Sequence, residues 1–319
     1  MATTMDIQDR IAKLNWERQP QGLYEPIAYT MASGGKRVRP QLAILACEMF
    51  GGNTEEVAPA AIALEIFHNF TLLHDDVMDK ADVRRGRPTV HVKWNDNTAI
   101  LSGDQMLIEA YKQLSSVPAS KLPKALQLFN QMATEICEGQ QYDVDFEAQD
   151  HVEIADYLMM IRLKTAVLLA TALKMGAYIA NADEKAQEAL YQFGINIGLA
   201  FQIQDDILDV WGDPATFGKA VGGDISCNKK TFVYLTALQK AHGECAQELH
   251  MWYSQVNEDN TAKIAAVKGI FEQLDVRSAC EKQVDEYTTH AMELLATLPQ
   301  NAATEQLRQL AMKLHNRKL

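Results

Sequence analysis

The chain has 319 residues, 47% of them hydrophobic, and carries a formal net charge of −12. That length allows a large buried core, while the negative charge argues against a general role in nucleic-acid binding. The five cysteines are scattered and lack CxxC spacing, which favours reduced thiols in a cytoplasmic protein over a zinc site. We expect no signal peptide, because residues 1–20 contain no apolar core, and no membrane span, because charges interrupt the most apolar stretches.

The predicted elements are almost all helices. Apolar residues recur at i, i+3, i+4 and i+7, a spacing typical of helices buried on one face. No linker rich in Gly, Ser or Pro divides the chain, so we predict an all-α fold with a single domain over residues 1–319. Long helices of this kind can form one large bundle around a central active-site cavity. In chain order the predicted helices are 38–49, 56–80, 97–114, 121–147, 152–181, 184–211, 229–241, 243–256, 260–272, 274–295 and 302–316.

A five-residue acidic pattern, DDxxD, occurs twice in these helices. The first copy runs from Asp75 to Asp79 and the second from Asp205 to Asp209. Positions i, i+1 and i+4 lie on one side of a helix, so each copy brings three carboxylates together. Oxygen-rich clusters of this kind suit Mg²⁺ ions that share their coordination shell with substrate phosphates.

The alternative interpretation of a DDxxD in an acidic protein is a solvated helix face. Both copies, however, follow apolar stretches, at 67–73 and 195–203. A solvated face would not adjoin such stretches. We therefore predict that the carboxylates line a cavity and grip a diphosphate through metal ions.

Basic residues occur at positions where they could bind a diphosphate. The segment GGKRVRP at 34–40 combines glycines, which let a backbone approach a phosphate, with arginines, which present a planar fork to two oxygens. A solvated basic turn is the alternative for this segment. Lys164 lies within an apolar helical stretch, where a cation needs an anionic partner. Further cations follow the two acidic motifs: Arg84, Arg85, Lys219 and Lys229.

Together these segments resemble the trans-isoprenyl diphosphate synthases, also called polyprenyl synthetases. The resemblance covers about residues 20–318 and implies the isoprenoid synthase fold, a homodimer and a short-chain product of the farnesyl or geranylgeranyl diphosphate type. The motifs stand in the order of the family: GGKRVRP at 34–40, DDVMDKADVRRG at 75–86, KT at 164–165, FQIQDDILD at 201–209 and GKAVGGDISCNKK at 218–230.

The resemblance assigns a role to each candidate site residue. It implies three Mg²⁺ ions per site, for which Mn²⁺ can substitute, bound directly by Asp75, Asp79 and Asp205. Asp76, Asp206 and Asp209 would orient metal-bound waters or complete the shells. Thr165 and Gln202 would lie beside the reacting carbons, and the tail 316–319 resembles a basic C-terminus that closes over the site. The allylic diphosphate would contact Arg84, Lys164, Lys219 and Lys229, and isopentenyl diphosphate would contact Lys36, Arg39, His68 and Arg85.

The resemblance also implies what limits product length. Phe70 and Phe67 lie five and eight residues before Asp75, about 7.5 and 12 Å along a helix that rises 1.5 Å per residue. Aromatic rings at these positions would stop chain growth after a few five-carbon additions. Thr71 departs from the paired aromatics of animal-type farnesyl diphosphate synthases, which favours a C20 over a C15 product. The alternative is that both rings only fill the core.

Two other functions were weighed against a prenyl-elongating enzyme. A terpene cyclase would use the same ionisation, but it would be expected to have a degraded second aspartate motif and no isopentenyl pocket. A non-catalytic helical subunit of a heteromeric synthase would be expected to have lost charged site residues. All of these residues are present in the sequence, so we favour a Mg²⁺-dependent prenyltransferase acting on isoprenoid diphosphates.

Overall fold

The computed structural model describes residues 4–213, 221–255 and 259–315 and is 77% helical. The prediction of an all-α fold is confirmed. The helices are α1 Thr4–Ala12, α2 Gln21–Met31, α3 Val38–Met49, α4 Thr54–Met78, α5 Val90–Lys93, α6 Asp96–Leu114, α7 Leu122–Ala148, α8 Ile154–Ile161, α9 Val167–Ile179, α10 Glu184–Trp211, α11 Gly223–Ser226, α12 Phe232–Lys240, α13 Gly243–Tyr253, α14 Thr261–Gln273, α15 Val276–Ala296 and α16 Ala302–His315.

The secondary structure differs from the prediction in three ways. Helices α1, α2, α5 and α11 are not among the predicted helices. A π-helical turn, Arg162–Ala166, interrupts the helix predicted over 152–181. Two short strands, Val83–Arg84 and Arg87–Pro88, form an antiparallel hairpin after the first acidic motif. The two residues between them, Arg85 and Gly86, have φ of 53° and 72°, as a two-residue hairpin turn with the twist of the strands requires.

Several helix boundaries follow from capping residues. Asn53 accepts a hydrogen bond from the backbone N–H of Glu55 at the start of α4, and Asn95 accepts one from Thr98 at the start of α6. Thr231 caps α12 in the same way, through the backbone N–H of Tyr234. Side-chain oxygens at these positions satisfy backbone donors that have no partner within the helix.

The chain divides into two compact units. The first comprises Met1–Asn130, Thr171–Leu190 and Pro299–Gln306, and the second comprises Gln131–Ala170, Tyr191–Leu298 and Leu307–Leu319. The first acidic motif belongs to the first unit, and the second motif belongs to the second unit. The single-domain assignment stays a prediction.

Helix α4 forms the centre of the first unit. It packs against α3 and α6, and it is lined with small buried residues that allow close helix approach, among them Ala58, Ala61 and Ala63. It is also the one helix in the described part of the chain that is long and apolar enough to cross a membrane. Because 67% of its most apolar window is buried within the protein, it is typical of a core helix.

Candidate active site

The first acidic motif occupies the last turn of α4. Asp75 is partly exposed and Asp79 is exposed, whereas Asp76 is only 5% exposed and accepts a hydrogen bond from Arg84 Nε at 2.7 Å. Burial raises the pKa of Asp76, and the Arg84 guanidinium opposes that shift. Asp75 and Asp79 are therefore the more accessible carboxylates of the three, while Asp76 is committed to an ion pair.

The second acidic motif lies within the last two turns of α10. Asp206 is 3% exposed, and its Oδ2 accepts hydrogen bonds from the Tyr157 hydroxyl at 2.5 Å and the Phe232 backbone N–H at 3.1 Å. Burial raises its pKa well above the usual range. The buried Asp209 accepts from the backbone N–H of Asp224 at 3.0 Å, which joins the end of α10 to the start of α11. Asp205 is the most exposed member of this motif.

The donor chemistry of both motifs fits Mg²⁺. Each motif presents only carboxylate oxygens, and each lies near a helix C-terminus, where the helix dipole favours cations. In the described residues, no three His, Cys, Asp or Glu side chains converge closely enough to hold a metal. Mg²⁺ sites of the diphosphate-binding kind need few protein ligands, because one or two carboxylates, waters and substrate phosphates complete the shell.

A cluster of cations surrounds His68 in the first unit. Burial and the charges of four arginines, in decreasing order Arg39, Arg85, Arg84 and Arg37, hold the pKa of His68 well below its usual range. His68 is therefore neutral at physiological pH. Neutral imidazole retains one N–H donor and one acceptor nitrogen, so it can donate to a phosphate oxygen without adding charge.

Two of the four arginines in this cluster, Arg37 and Arg84, form ion pairs with carboxylates, whereas Arg39 keeps an unsatisfied donor. Arg37 pairs with the buried Glu65 at 2.6 Å. Arg39 has a buried Nε with no hydrogen-bond partner, and burial lowers its pKa to about 10. A buried guanidinium donor without an acceptor is costly. Polyanionic oxygens would satisfy it, so this cluster has the composition of a phosphate-binding site.

Backbone geometry brings two basic segments of this cluster together. Gly34 and Gly35 have φ of 78° and 122°, and Arg37 itself has φ of 47°. The Arg85 guanidinium donates to the Gly34 carbonyl and to Ser33 Oγ, and a Cβ on Gly35 would lie 3.0 Å from Arg85 Nη1. Glycine at position 35 suits this positive φ, and a side chain there would also crowd the Arg85 guanidinium.

In the second unit, the π-helical turn carries Lys164 and Thr165. Lys164 Nζ forms an ion pair with Asp143 of α7 at 2.6 Å. Thr165 Oγ1 donates to Gln202 Oε1 at 3.3 Å, and Gln202 Nε2 lies 3.5 Å from Asp206 Oδ1. The turn is thus connected to the second acidic motif through side-chain hydrogen bonds.

Two glycines pack directly against this turn. A Cβ on Gly139 of α7 would lie 2.3 Å from the backbone nitrogen of Lys164, and a Cβ on Gly198 of α10 would lie 2.5 Å from Ala166. π-Helical turns are frequent at functional sites because they change the direction in which side chains and carbonyls point. Gly139 and Asp143 are not among the predicted site residues. The signal for Asp143 is that Lys164, a lysine in an apolar helical stretch, needs a carboxylate partner.

Comparison with known proteins identifies the family. A model of polyprenyl synthetases matches residues 20–271 of the chain. The chain belongs to the polyprenyl synthetase family. It is therefore a trans-prenyltransferase, and the resemblance seen in its sequence motifs is confirmed.

Individual relatives of this polyprenyl synthetase match over most of its length. It is 43% identical over 224 residues to a geranylgeranyl diphosphate synthase of Methanosarcina mazei, with 70% of this chain and 69% of the relative covered. It is 35% identical over 320 residues to a short chain isoprenyl diphosphate synthase of Methanothermobacter thermautotrophicus, with 98% of both covered. A crystal structure of a geranylgeranyl pyrophosphate synthase superposes with a TM-score of 0.92 at 45% identity, covering 99% of this chain and 97% of the other.

The predicted chain-length residues of the synthetase belong to an aromatic cluster. Phe67 is 1% exposed, and its ring centroid lies 5.4 Å from that of Phe70 and 5.3 Å from that of Phe129 on α7. Tyr111 of α6 continues the cluster, 5.1 Å from Phe129. Thr71 Oγ1 donates to the His68 carbonyl at 2.8 Å. The sequence analysis missed Phe129 and Tyr111, which come from other helices.

The predicted site residues thus form two groups. Lys219 and the tail 316–319 lie outside the described residues. Lys36 and Lys229 are exposed. The first unit holds Lys36, Arg39, Phe67, His68, Phe70, Thr71, Asp75, Asp76, Asp79, Arg84 and Arg85, and the second holds Lys164, Thr165, Gln202, Asp205, Asp206, Asp209 and Lys229.

Proposed function

We propose that this polyprenyl synthetase condenses isopentenyl diphosphate with an allylic diphosphate to give a C15–C20 trans-prenyl diphosphate. The observation that carries the proposal is the cation cluster around a neutral His68, in which the buried Arg39 Nε has no acceptor. Four arginines face only two paired carboxylates, Glu65 and Asp76, so a multiply charged anion such as a diphosphate would balance the remaining charge. In this proposal Arg39, His68 and Arg85, together with the exposed Lys36, bind isopentenyl diphosphate.

The aspartates divide into ligands and positioning residues in this proposal. Asp75, Asp79 and Asp205, the more exposed carboxylates, would bind Mg²⁺. Asp76, Asp206 and Asp209 already accept hydrogen bonds from the protein, so they would orient metal-bound water or hold their neighbours in place. Bound Mg²⁺ supplies positive charge that stabilises the diphosphate as it leaves the allylic carbon. Three ions per site are proposed, and Mn²⁺ would substitute.

The basic residues and dipoles carry the remaining steps. Arg84, Lys164, Lys219 and Lys229 would hold the allylic diphosphate while its C–O bond breaks and the electron pair leaves with the diphosphate oxygen. The Thr165 hydroxyl and the Gln202 amide would offer their oxygen dipoles to the allylic cation. The isopentenyl double bond then forms the new carbon–carbon bond, and the proton lost from the adjacent carbon passes to the released diphosphate.

Product length, assembly and location complete the proposal. Relatives named geranylgeranyl diphosphate synthases support a C20 product, with C15 as the alternative. Exposed apolar side chains on α6, among them Ile100, Leu101 and Ile108, support a homodimer, since contiguous exposed apolar residues mark interaction surfaces. We propose a cytoplasmic enzyme that acts on small isoprenoid diphosphates.

One assay tests the proposed function. The purified chain is incubated with Mg²⁺, isopentenyl diphosphate and, in separate reactions, dimethylallyl, geranyl or farnesyl diphosphate, and the products are separated by chromatography. Linear C15 or C20 diphosphates are expected. Cyclic hydrocarbons formed without isopentenyl diphosphate would indicate a terpene cyclase, and no turnover of any primer would indicate a non-catalytic subunit.

A further inference from the structure

A buried lysine lies in the second unit, outside every motif of the proposed site. Lys263, on α14, has a side chain that is 0% exposed. Its ammonium donates to Asn228 Oδ1 and, at 3.1 Å, to the Gln255 carbonyl, and it lies 5.7 Å from the centroid of the Tyr253 ring. Lysine is almost never fully buried without a reason, because an apolar residue would fill the same space without losing hydration.

The partner of Lys263 is a residue in an unusual conformation. Asn228 has φ of 56°, in the left-handed region. Its Nδ2 donates to the same Gln255 carbonyl at 3.2 Å that Lys263 uses. Both ends of the Asn228 side-chain amide are therefore held, one by the ammonium and one by the carbonyl. This pair of contacts keeps the left-handed turn in place despite its conformational cost.

The segment on the other side of that turn is held as well. Lys230 Nζ donates to the carbonyls of Phe146 at 2.8 Å and Glu147 at 3.3 Å, at the end of α7. Lys229 lies between the two anchors with an exposed side chain, and its backbone N–H donates to the Asp224 carbonyl at 2.9 Å. Its backbone is therefore fixed on both sides, and the residue is exposed.

We propose that Lys263 is a positioning residue that fixes Lys229 for contact with a substrate diphosphate. The ammonium of Lys263 acts through the Asn228 amide, and the left-handed Asn228 sets the direction in which the next residue leaves the turn. Lys263 itself does not touch the substrate. This inference rests on the proposed function, in which Lys229 contacts the allylic diphosphate, and it adds the residue that determines where Lys229 points.

The electrostatic surroundings of Lys263 agree with this role. Burial raises the pKa of Tyr253 well above its usual range, and the charges of Asp224 and Asp209 raise it further. Tyr253 also stacks on Tyr234, with ring centroids 3.7 Å apart. The lysine, the stacked rings and the carboxylates of the second motif thus belong to one region of this unit.

A double-mutant cycle tests the proposal. Its main readout is the affinity for inorganic diphosphate in the presence of Mg²⁺, measured by titration calorimetry. Lys229→Ala is expected to weaken binding by about 10- to 100-fold, the loss of a hydrogen bond to a charged group. Lys263→Met, which keeps the length of the side chain without its charge, is expected to weaken binding by roughly 5-fold or more, because Lys229 loses its position. The double variant should bind no more than about 2-fold more weakly than Lys229→Ala.

Controls separate positioning from folding. Asn228→Gly removes the acceptor of Lys263 while tolerating positive φ, and it should weaken diphosphate binding as much as Lys263→Met does. It also tests the proposal if Lys263→Met fails to fold. Lys240→Met removes a lysine that donates to the Asp275 carbonyl at 2.6 Å in the same unit, and it should leave the affinity unchanged.

Fully additive effects of Lys263→Met and Lys229→Ala, or unchanged affinity in both Lys263→Met and Asn228→Gly, would overturn the proposal. A Lys229→Ala variant that binds diphosphate like the wild type would overturn it too. The prenyltransfer assay tests the proposed function independently of these binding measurements. Coupling in the binding cycle without prenyltransfer would therefore uphold the positioning role and refute only the proposed activity.

Discussion

The Tyr157 hydroxyl donates to Asp206 Oδ2 at 2.5 Å, with both side chains buried, so α8 is fastened to the second acidic motif on α10. Eight residues later in the chain, Thr165 is fastened to Gln202 on the same helix. Tyr157, which precedes the π-helical turn, and Thr165, which lies within it, are therefore both held against α10. Tyr157 therefore orients the buried Asp206 carboxylate, which lies next to Asp205 in the motif.

We expect Tyr157→Phe to destabilise the protein and to slow turnover. Removing one partner of a buried hydrogen bond costs about 1–3 kcal/mol, and here it leaves Asp206 with one fewer donor. Urea unfolding and steady-state rates would measure both effects. Tyr178→Phe, which removes a weaker hydroxyl contact of 3.3 Å to the Lys121 carbonyl, serves as the matched control. Wild-type stability and rate in Tyr157→Phe would contradict this expectation.

Activity should require the exposed carboxylates of both acidic motifs and a divalent ion. Asp75→Ala and Asp205→Ala should each lower kcat by roughly 10³-fold or more, because each removes charge that holds the ion at the leaving group. A chelator should abolish the activity, and added Mg²⁺ or Mn²⁺ should restore it. Glu272→Ala, at an exposed acidic position on α14, should behave as the wild type. Near-normal turnover in either aspartate variant would mean that its motif is a solvated helix face.

The two diphosphates should respond to different basic residues. Arg39→Ala is expected to raise the KM for isopentenyl diphosphate by about 10- to 100-fold, because it removes a buried donor from the cluster around His68. Lys164→Ala is expected to act chiefly on kcat, through ionisation of the allylic substrate. Steady-state kinetics with each substrate varied in turn would check this. Equal effects of both variants on both substrates would contradict the assignment.

Product length should depend on the aromatic cluster of the first unit. Phe70→Ala is expected to lengthen the product by one or more isoprene units, and the double variant with Phe67→Ala should lengthen it further. Phe67 is buried, so its substitution also costs about 3–5 kcal/mol of stability, whereas Phe70 is half-buried. Phe193→Ala, at an equally buried position in the other unit, should lower stability with no change in product length. If the distribution of product lengths is unchanged in both Phe70→Ala and the double variant, the two rings have only a structural role.

Acid should destabilise the protein through His68. Its folded-state pKa lies well below the usual range, so below about pH 6.5 the unfolded chain binds a proton that the folded protein does not. The free energy of unfolding should therefore fall with decreasing pH, by up to about 1.4 kcal/mol per unit, until the folded-state pKa is reached. Above about pH 6.5 the group should contribute no pH dependence.

Urea midpoints of the wild type and of His68→Gln at roughly pH 7.5 and pH 5.5 would measure this contribution. The variant should lose less stability on acidification than the wild type. His290→Gln, at an exposed histidine, is the control and should follow the wild type. The same acid sensitivity in His68→Gln would assign the effect to other groups.

Local sequence patterns were sufficient for most of the helices and for the two acidic motifs, but α1, α2, α5 and α11 were not predicted. Helix α4 is predicted at 56–80 and runs from Thr54 to Met78, because its apolar periodicity and its capping residue are both local signals. The π-helical turn was not predictable in this way, since Leu163 and Ala166 continue the apolar pattern of the flanking helices. An inserted residue leaves no trace where a helix is apolar on most sides.

The contacts that organise the candidate site could not be predicted from local sequence patterns. Asp143 meets Lys164 and Phe129 meets Phe67 only after distant helices have packed. The buried Lys263 has no local signal either, because its helix is otherwise of ordinary composition and its partner Asn228 lies in a different loop. Such pairs depend on tertiary packing, which single-sequence periodicity does not encode.

The π-helical turn Arg162–Ala166 has a consequence for insertions and deletions. One additional residue in a helical turn rotates everything beyond it by about 100° relative to a regular helix. A deletion of one residue within 162–166 would therefore yield a smoother helix with better local hydrogen bonding, but it would turn either Tyr157 or Thr165 away from α10. We therefore expect that neither an insertion nor a deletion within 162–166 is tolerated. Close packing against Gly139 and Gly198 leaves no space for the turn to shift.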